Sequence, residues 1–325
     1  MQRRLALLLA ALVALGGAGS AAAAFPGKNG RLVYMRDFDL VTVSPFGKGS
    51  RTVVGSRADE NNPQWSPDGE RLVFQRAQLG VVSIWVANAD GSRARRLAIG
   101  SDPAWSPDGE RVAYVAQTGT NFDIWVIGAD GKGKTRLTRG AAPEFYPAWS
   151  PDGKRIAFTT FTTRGTGLGG IFTVKAEPNV RPRRVTTGVD QRPAYSPDGT
   201  RIAFDGFRGR PGAAGTDVYV VGVDGKGLAR LTTAAGEDVA PAWSPDGKRI
   251  AFASARGGAA IWIMEADGAN QRRVTAPSAF ATNPDWQPIP LPPPPPPPPP
   301  PAPPEPAPPP EPVPPVEPPA ARGAR

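Results

Sequence analysis

Short apolar runs alternate with polar turns along most of the chain, and one ten-residue pattern recurs. It reads aromatic residue, Ser-Pro-Asp-Gly, one polar residue, Arg, two aliphatic residues and a second aromatic residue. Pro sets φ for a turn, Asp bonds back to the local backbone and Gly accepts positive φ, so each copy predicts a tight β-hairpin. The copies begin at Trp65, Trp105, Trp149, Tyr195 and Trp243.

Two further apolar segments follow each hairpin. The third predicted strand has an aromatic residue between two apolar ones in most units, as in Ile84-Trp85-Val86, and an Asp-Gly turn usually comes next. A fourth strand ends each unit and contains Arg followed by an aliphatic residue, as in Arg136-Leu137-Thr138. Four short antiparallel strands in a period of 40 to 48 residues are typical of a propeller blade. Five whole blades are predicted between about residues 56 and 277.

The two ends of the repeat region complement each other. Residues 29–34 carry only the second half of the hairpin pattern, without a preceding Trp, whereas Asp285-Trp286 looks like an isolated first strand. The sequence therefore predicts an all-β, six-bladed β-propeller over residues 25–288, closed by pairing of its N- and C-terminal strands. Closure also removes the exposed edges of a linear array.

Residues 1–24 have the pattern of an export signal. A charged start, an apolar run at Leu5–Leu15 and a small-residue site at Ala22–Ala24 follow one another. The apolar run is short for a bilayer span, so we expect cleavage and no transmembrane span in the mature chain, with a retained anchor as the alternative. The mature protein is expected in the periplasm, the cell wall or the extracellular space.

Residues 289–325 form a proline-rich segment with ten consecutive prolines at 292–301. Such a sequence cannot pack a core and is predicted to be a disordered, extended polyproline II tail. At ~3.1 Å per residue it would reach on the order of 90 Å. It would serve either as an inert spacer or as a ligand for an aromatic-lined groove.

Composition narrows the chemistry. The 325 residues include no cysteine and no histidine, which excludes disulfides, Ser-His-Asp triads and histidine-containing metal sites. No cofactor or metal is therefore expected. The net charge of +9, or +7 without Arg3 and Arg4, is not arranged as an aromatic-interleaved basic stripe, so specific nucleic-acid binding is not expected. A weak attraction to an anionic wall polymer stays open.

The repeated Pro-x-Trp-Ser-Pro-Asp-Gly-x-Arg-Ile-Ala-Phe motif, followed by Ile-Trp-Val, Ala-Asp-Gly and Arg-Leu-Thr, resembles the TolB-type (WD40-like) propeller repeat. The resemblance covers residues 29 to about 286. It implies a β-propeller that engages a partner at the mouth of its channel. TolB itself carries an α/β domain before its propeller, and we expect none here because Ala24 and Asn29 leave no room for it.

Acids and amides recur before the predicted first strands, and arginines recur between the second and third. In a propeller these loops meet at one channel mouth, where they could hold a basic peptide segment or a cation. The alternative is ordinary solvated loops. The candidate residues are Asp59, Glu60, Asp102, Glu144, Asp190, Glu237, Asp238, Arg76 and Arg208, with Arg164, Arg210 and Arg256 as further arginines. The turn aspartates Asp68, Asp108, Asp152, Asp198 and Asp246 are expected to be structural caps.

These features predict an exported, non-enzymatic, monomeric scaffold that binds an envelope protein, a peptide or a small ligand at the channel mouth. Two alternatives remain. One is a structural wall-associated protein held by its charge and its proline-rich tail. The other is a polysaccharide lyase or hydrolase that uses paired carboxylates.

Overall fold

The computed structural model describes residues 24–161, 169–208, 215–278 and 280–292. The predicted export signal, except for Ala24, and most of the predicted proline-rich tail lie outside these residues. The described chain contains strands and turns, arranged as six four-stranded antiparallel sheets. The predicted all-β, six-bladed propeller is confirmed.

Each sheet is one blade, and the strands are numbered in chain order. Blade 1 contains β24 (Ala281–Ile289), β1 (Lys28–Arg36), β2 (Asp39–Val43) and β3 (Arg51–Val54). Blade 2 contains β4 (Asp59–Trp65), β5 (Arg71–Gln78), β6 (Val81–Asn88) and β7 (Arg95–Ile99). Blade 3 contains β8 (Ser101–Trp105), β9 (Arg111–Thr118), β10 (Asn121–Gly128) and β11 (Thr135–Arg136).

The remaining blades repeat this order. Blade 4 contains β12 (Glu144–Trp149), β13 (Arg155–Thr160), β14 (Gly170–Lys175) and β15 (Arg183–Arg184). Blade 5 contains β16 (Val189–Tyr195), β17 (Arg201–Phe207), β18 (Asp217–Gly222) and β19 (Ala229–Arg230). Blade 6 contains β20 (Asp238–Trp243), β21 (Arg249–Ser254), β22 (Ala260–Glu265) and β23 (Arg272–Arg273).

The ring closes in blade 1, where strands from the two ends of the propeller pair. Leu32 lies opposite Trp286 and Val33 opposite Asp285, so β24 becomes the first strand of a sheet whose other three strands are N-terminal. The first strands β4, β8, β12, β16, β20 and β24 contact one another in order around the ring. These six strands therefore surround the central channel.

The connections divide between two faces. The turn face holds the hairpins between first and second strands and the turns between third and fourth strands. The mouth face holds the connections between blades and the hairpins between second and third strands. Every described candidate residue from before a first strand or after a second strand therefore belongs to the mouth face, as the blade order requires.

The turn-face hairpins share one set of bonds. In blade 3 the Ser106 hydroxyl donates to Asp108 Oδ1 at 2.5 Å, and the same carboxylate oxygen accepts from Glu110 N at 2.9 Å. Gly109 has φ +69°, the left-handed conformation in which a residue without Cβ is favoured. The other four turn aspartates make the same pair of bonds.

The core lies between neighbouring blades. Trp105, Trp149 and Trp243 are fully buried. The arginine that follows a turn reaches the next blade: Arg71 lies 4.7 Å from the Trp105 ring and donates to the Gly109 carbonyl at 3.1 Å. Burial of these rings by apolar packing supplies most of the stability between blades, and the arginines add cation–π contacts.

Candidate functional site

The structure divides the predicted mouth-face acids into two sets. Asp59 and Glu237 are exposed. The other five side chains are buried, and most of them pair with an arginine: Glu60, Asp102, Glu144, Asp190 and Asp238. Only the first set presents a carboxylate to solvent.

Three of the buried acids pair with the arginine at the end of the second strand of the same blade. Glu60 Oε1 lies 2.9 Å from Arg76 Nε, and Asp190 Oδ1 accepts from Arg208 Nε at 3.0 Å. Asp238 Oδ2 accepts from Arg256 Nη2 at 2.5 Å. Each pair leaves the carboxylate fully buried, so its charge is neutralised inside the blade. Arg164 and Arg210 lie outside the described residues.

The arginines are fixed a second time by aromatic rings. The Arg76 guanidinium lies 4.3 Å from the Trp85 ring, and that of Arg256 lies 4.9 Å from the Trp262 ring. A guanidinium that is stacked on a ring and paired with a buried carboxylate has little freedom to move to a partner. Arg208 lies 5.5 Å from the Phe204 ring and 5.6 Å from the Tyr219 ring. Arg76, Arg208 and Arg256 therefore hold the blade ends together.

Glu144 differs from the other three. It accepts from the Thr138 hydroxyl, and the described residues place no arginine beside it as Arg76 lies beside Glu60. Burial, with a smaller contribution from the Asp123 carboxylate, raises the pKa of Glu144 to about 7. Asp123 pairs with Arg136 at 2.9 Å. Two buried acids thus share the charge of one arginine at the boundary of blades 3 and 4.

A ring of six residues lines the channel where each first strand bulges. Each member precedes a proline, has a left-handed φ between 50° and 57° and is buried. In each blade the pairing with the second strand shifts at this point. The members of this channel ring are Asn62, Asp102, Tyr146, Arg192, Ala240 and Asn283. Because all six share the conformation, it belongs to the repeat and not to one site.

The channel ring is polar and internally bonded. Asn283 Nδ2 donates to Asn62 Oδ1 at 2.7 Å, and Asn62 Nδ2 donates to Asp102 Oδ1 at 2.8 Å. In blade 5, on the opposite side of the ring, Arg192 Nη1 donates to Asp205 Oδ2 at 2.7 Å. Burial raises the pKa of Asp102 to about 6 in spite of these donors. The ring therefore has a side of amides and an acid, and a side where the charge of Arg192 is balanced by Asp205.

The turn-side end of the channel is covered by the N-terminal segment. Four of the six first strands carry alanine two residues after the channel ring, which leaves space. Phe25 is buried in the cluster that contains Trp105 and Trp149, and Ala24 N donates to the Tyr195 carbonyl at 3.4 Å. The signal-like pattern includes Ala24, but the structure places this residue in the packed core. Sequence reasoning did not anticipate this cover.

The other two first strands carry polar residues at the alanine position. Asp285 accepts from Trp65 N at 2.7 Å, and Gln64 accepts from Trp105 N at 2.6 Å. Burial, only partly offset by these backbone donors, raises the pKa of Asp285 to about 8. Asp285 is therefore mostly protonated at neutral pH and tightens the boundary between blades 1 and 2.

A family model of the TolB β-propeller domain matches residues 111–289, more than half of the chain. The chain belongs to the TolB β-propeller domain family. Among curated proteins, no significant relative was found.

Solved TolB structures share the ring. TolB from Acinetobacter baumannii has a TM-score of 0.69 and 21% identity over 82% of this chain and 68% of its own. A TolB-type protein from Agrobacterium tumefaciens has a TM-score of 0.63 and 22% identity over 80% of this chain and 99% of its own. An oligogalacturonate lyase from Vibrio parahaemolyticus has a TM-score of 0.52 and 15% identity over 72% and 74%. At these identities the likeness shows the fold alone.

This TolB-type propeller concentrates exposed apolar side chains on its mouth face. Seven of the eleven exposed large hydrophobic residues in the described chain lie there: Leu79, Val81, Ile99, Phe122, Val189, Phe207 and Phe280. We call these seven the mouth rim. Phe122 also contacts Phe145, which contacts Phe161, with ring centroids 5.5 and 5.7 Å apart. The sequence shows these apolar residues at predicted loop tips, but a pattern based on charged groups does not include them.

The described residues contain no group of three or more acid, histidine or cysteine side chains that could hold a metal ion. None of them forms a helix long and apolar enough to cross a bilayer. Besides the mouth rim, the described mouth face presents the accessible carboxylates of Asp59 and Glu237.

Proposed function

We propose that this protein is an exported, non-enzymatic scaffold of the cell envelope that captures a protein or peptide partner on the mouth face of its propeller. The observation that supports this most is the mouth rim. A face that carries most of the exposed large apolar side chains is typical of a surface that binds another protein.

The buried ion pairs support the same proposal. They fix the ends of the first and second strands in blades 2, 5 and 6, so the loops that carry the rim project from a rigid frame. A preformed surface loses less conformational entropy on binding than a mobile one does. Asp59 and Glu237 would add electrostatic selection for a basic segment of the partner.

A matched pair of variants tests the proposal. The first carries Leu79→Ser, Phe122→Ser and Phe207→Ser on the mouth rim. The control carries Phe46→Ser and Leu228→Ser, which are exposed apolar residues of the turn face. Both are used as full-length bait in envelope extract of the source organism, with a photo-crosslinker at position 81 to report the site of contact.

We expect wild-type and control baits to crosslink one discrete protein and the rim variant to lose it. Substitution of Asp59 and Glu237 by Ala should weaken the capture by about 1 kcal/mol or less, because rim charges mainly influence association rate. Equal crosslinking by the rim variant, or a partner lost only with the control, would contradict the proposal.

A further inference from the structure

On the turn face, acids such as Asp90 and Asp130 share the turns of blades 2 and 3, whereas cations outnumber acids in blade 4. Six cationic side chains lie on this face in blades 2 to 4: Arg93, Arg96, Arg111, Lys132, Lys154 and Lys175. We call them the basic rim. Five of the six make no side-chain hydrogen bond or ion pair within the described residues. Arg111 pairs with the exposed Asp108 at 3.0 Å and lies 4.9 Å from the Trp149 ring.

A hydrogen bond from a side chain to the backbone joins blades 2 and 3, which carry four of these cations. The Arg95 guanidinium donates to the carbonyl of Ala129, in the turn of the next blade that also contains Lys132. Gly128 in that turn lies opposite Arg111 and donates its N–H to the Lys132 carbonyl at 2.7 Å. The start of β7 in blade 2 therefore lies against the turn of blade 3 that carries Lys132.

A surface pocket of about 390 Å³ continues the basic rim into blade 4. It is lined by four cationic residues, Arg111, Lys154, Arg155 and Lys175, and by the acids Asp152 and Glu177. Asp152 Oδ1 already accepts from the Ser150 hydroxyl at 2.5 Å and from Lys154 N at 3.0 Å. Positive charge therefore exceeds negative charge in this pocket, and one of its two acids is engaged by its own turn.

Arg93 supplies an independent indication that this charge has a use. Its φ is +54°, and the equivalent turn positions in blades 3, 5 and 6 are Gly133, Gly227 and Asn270, also at positive φ. A left-handed conformation costs an ordinary L-residue roughly 1–2 kcal/mol, whereas Gly and Asn adopt it readily. Blade 2 thus holds an arginine where the repeat otherwise uses residues suited to the turn, as strained functional positions often do.

We propose that the basic rim binds a linear polyanion that carries phosphate or carboxylate groups along its chain. The proposal is separate from partner capture, because the basic rim lies on the opposite face from the mouth rim. Several cations of one face that lack internal ion pairs suit a ligand with repeated charges. The exposed large hydrophobic residues described on the turn face, Phe46, Leu228, Ile289 and Leu291, lie outside blades 2 to 4. The basic rim therefore lacks an apolar anchor for a bilayer.

The test uses the full chain with two soluble probes, inorganic polyphosphate and polygalacturonate, and with vesicles of anionic phospholipid as a third arm. The basic-rim variant is Arg93→Gly with Lys132→Gln and Lys175→Gln. The control variant, Arg57→Gln with Lys226→Gln and Lys248→Gln, changes the net charge by the same amount at exposed positions elsewhere. Binding is measured by titration calorimetry at low and at physiological salt.

We expect the wild type to bind at least one polymer, with affinity falling as salt rises because small ions screen the charges. The basic-rim variant should bind the polymer about tenfold more weakly, and the affinity of the control should stay within about twofold of that of the wild type. The Arg93→Gly change alone should raise the Tm while it weakens binding, which a purely structural role for Arg93 would not produce. Equal losses in the two variants, no polymer binding at low salt, or preferential binding to vesicles would overturn the proposal.

Discussion

The turn face and the mouth face are built from the same six blades but use their residues differently. On the turn face, five hairpins repeat one sequence and one set of hydrogen bonds. On the mouth face, the connection between blades varies from one residue between β7 and β8 to seven between β11 and β12. Repetition therefore accompanies the bonds that define the blade, and variation accompanies the surface that a partner would contact.

The same difference appears in how acids are used. Turn aspartates cap local backbone and stay partly exposed, whereas the acids Glu60, Asp190 and Asp238 are buried against arginines. An exposed cap contributes little and a buried pair is costly to break. Substitutions on the two faces should therefore differ in size, and three experiments measure that difference.

The largest effect is expected on the mouth face, from Asp190→Ala. It would leave Arg208, whose side chain is only 22% exposed, without its carboxylate partner. We expect the free energy of unfolding to fall by about 2–4 kcal/mol, slightly below the value for a completely buried pair. Urea denaturation measures the loss, with Glu237→Ala as the exposed control at about 0.5 kcal/mol or less. A loss below about 1 kcal/mol for Asp190→Ala would show that the pair is not structural.

An intermediate effect is expected from Asp285→Asn, and it depends on pH. Burial raises the pKa of Asp285 to about 8, so the folded protein keeps a proton that the unfolded chain releases near pH 4. Its contribution to stability is complete below pH 4 and is lost as the pH rises to about 8. Asn at this position should weaken the dependence of the free energy of unfolding on pH. It should also stabilise the protein by about 1–3 kcal/mol at pH 8.5.

The control for this experiment is Asp246→Asn on the turn face. Hydrogen bonds from Ser244 and Lys248 N oppose the effect of burial and leave the pKa of Asp246 lowered, so its contribution is lost only as the pH falls below about 4. In this variant the free energy of unfolding, measured by denaturation from pH 5 to 8.5, should depend on pH as it does in the wild type. An unchanged slope in Asp285→Asn would show that Asp285 ionises without cost.

The smallest effect is expected from removal of one turn cap. Asp108→Ala deletes two hydrogen bonds and an exposed ion pair to Arg111, so we expect a loss of about 0.5–1.5 kcal/mol. Asp198→Ala in blade 5 should behave alike, and the double variant should be additive within about 0.5 kcal/mol. Strong non-additivity between these distant turns would mean that the blades do not behave as independent units.

The repeat made the fold predictable. The hairpin sequence determines the strand order, and the half-patterns at Asn29 and Trp286 predict the closure. The burial of the mouth-face acids was harder to predict from the sequence, because it depends on the register of the strands: Glu60 lies directly opposite Arg76 across the hairpin. The positive φ before each first-strand proline follows from the bulge and not from the residue type. The cover formed by Phe25 depends on tertiary packing, which a local pattern does not report.

The closure of blade 1 also has a consequence for the order of events during folding. Blades 2 to 6 contain only neighbouring strands, so each can form as soon as its own 40 to 48 residues are available. The strands β1 to β3 must wait for β24, and Leu32 meets Trp286 only after the intervening chain exists. Contacts of such sequence separation form late. The beginning of the propeller is therefore the last part to be completed, and the unfinished ring presents an open edge until its final strand arrives.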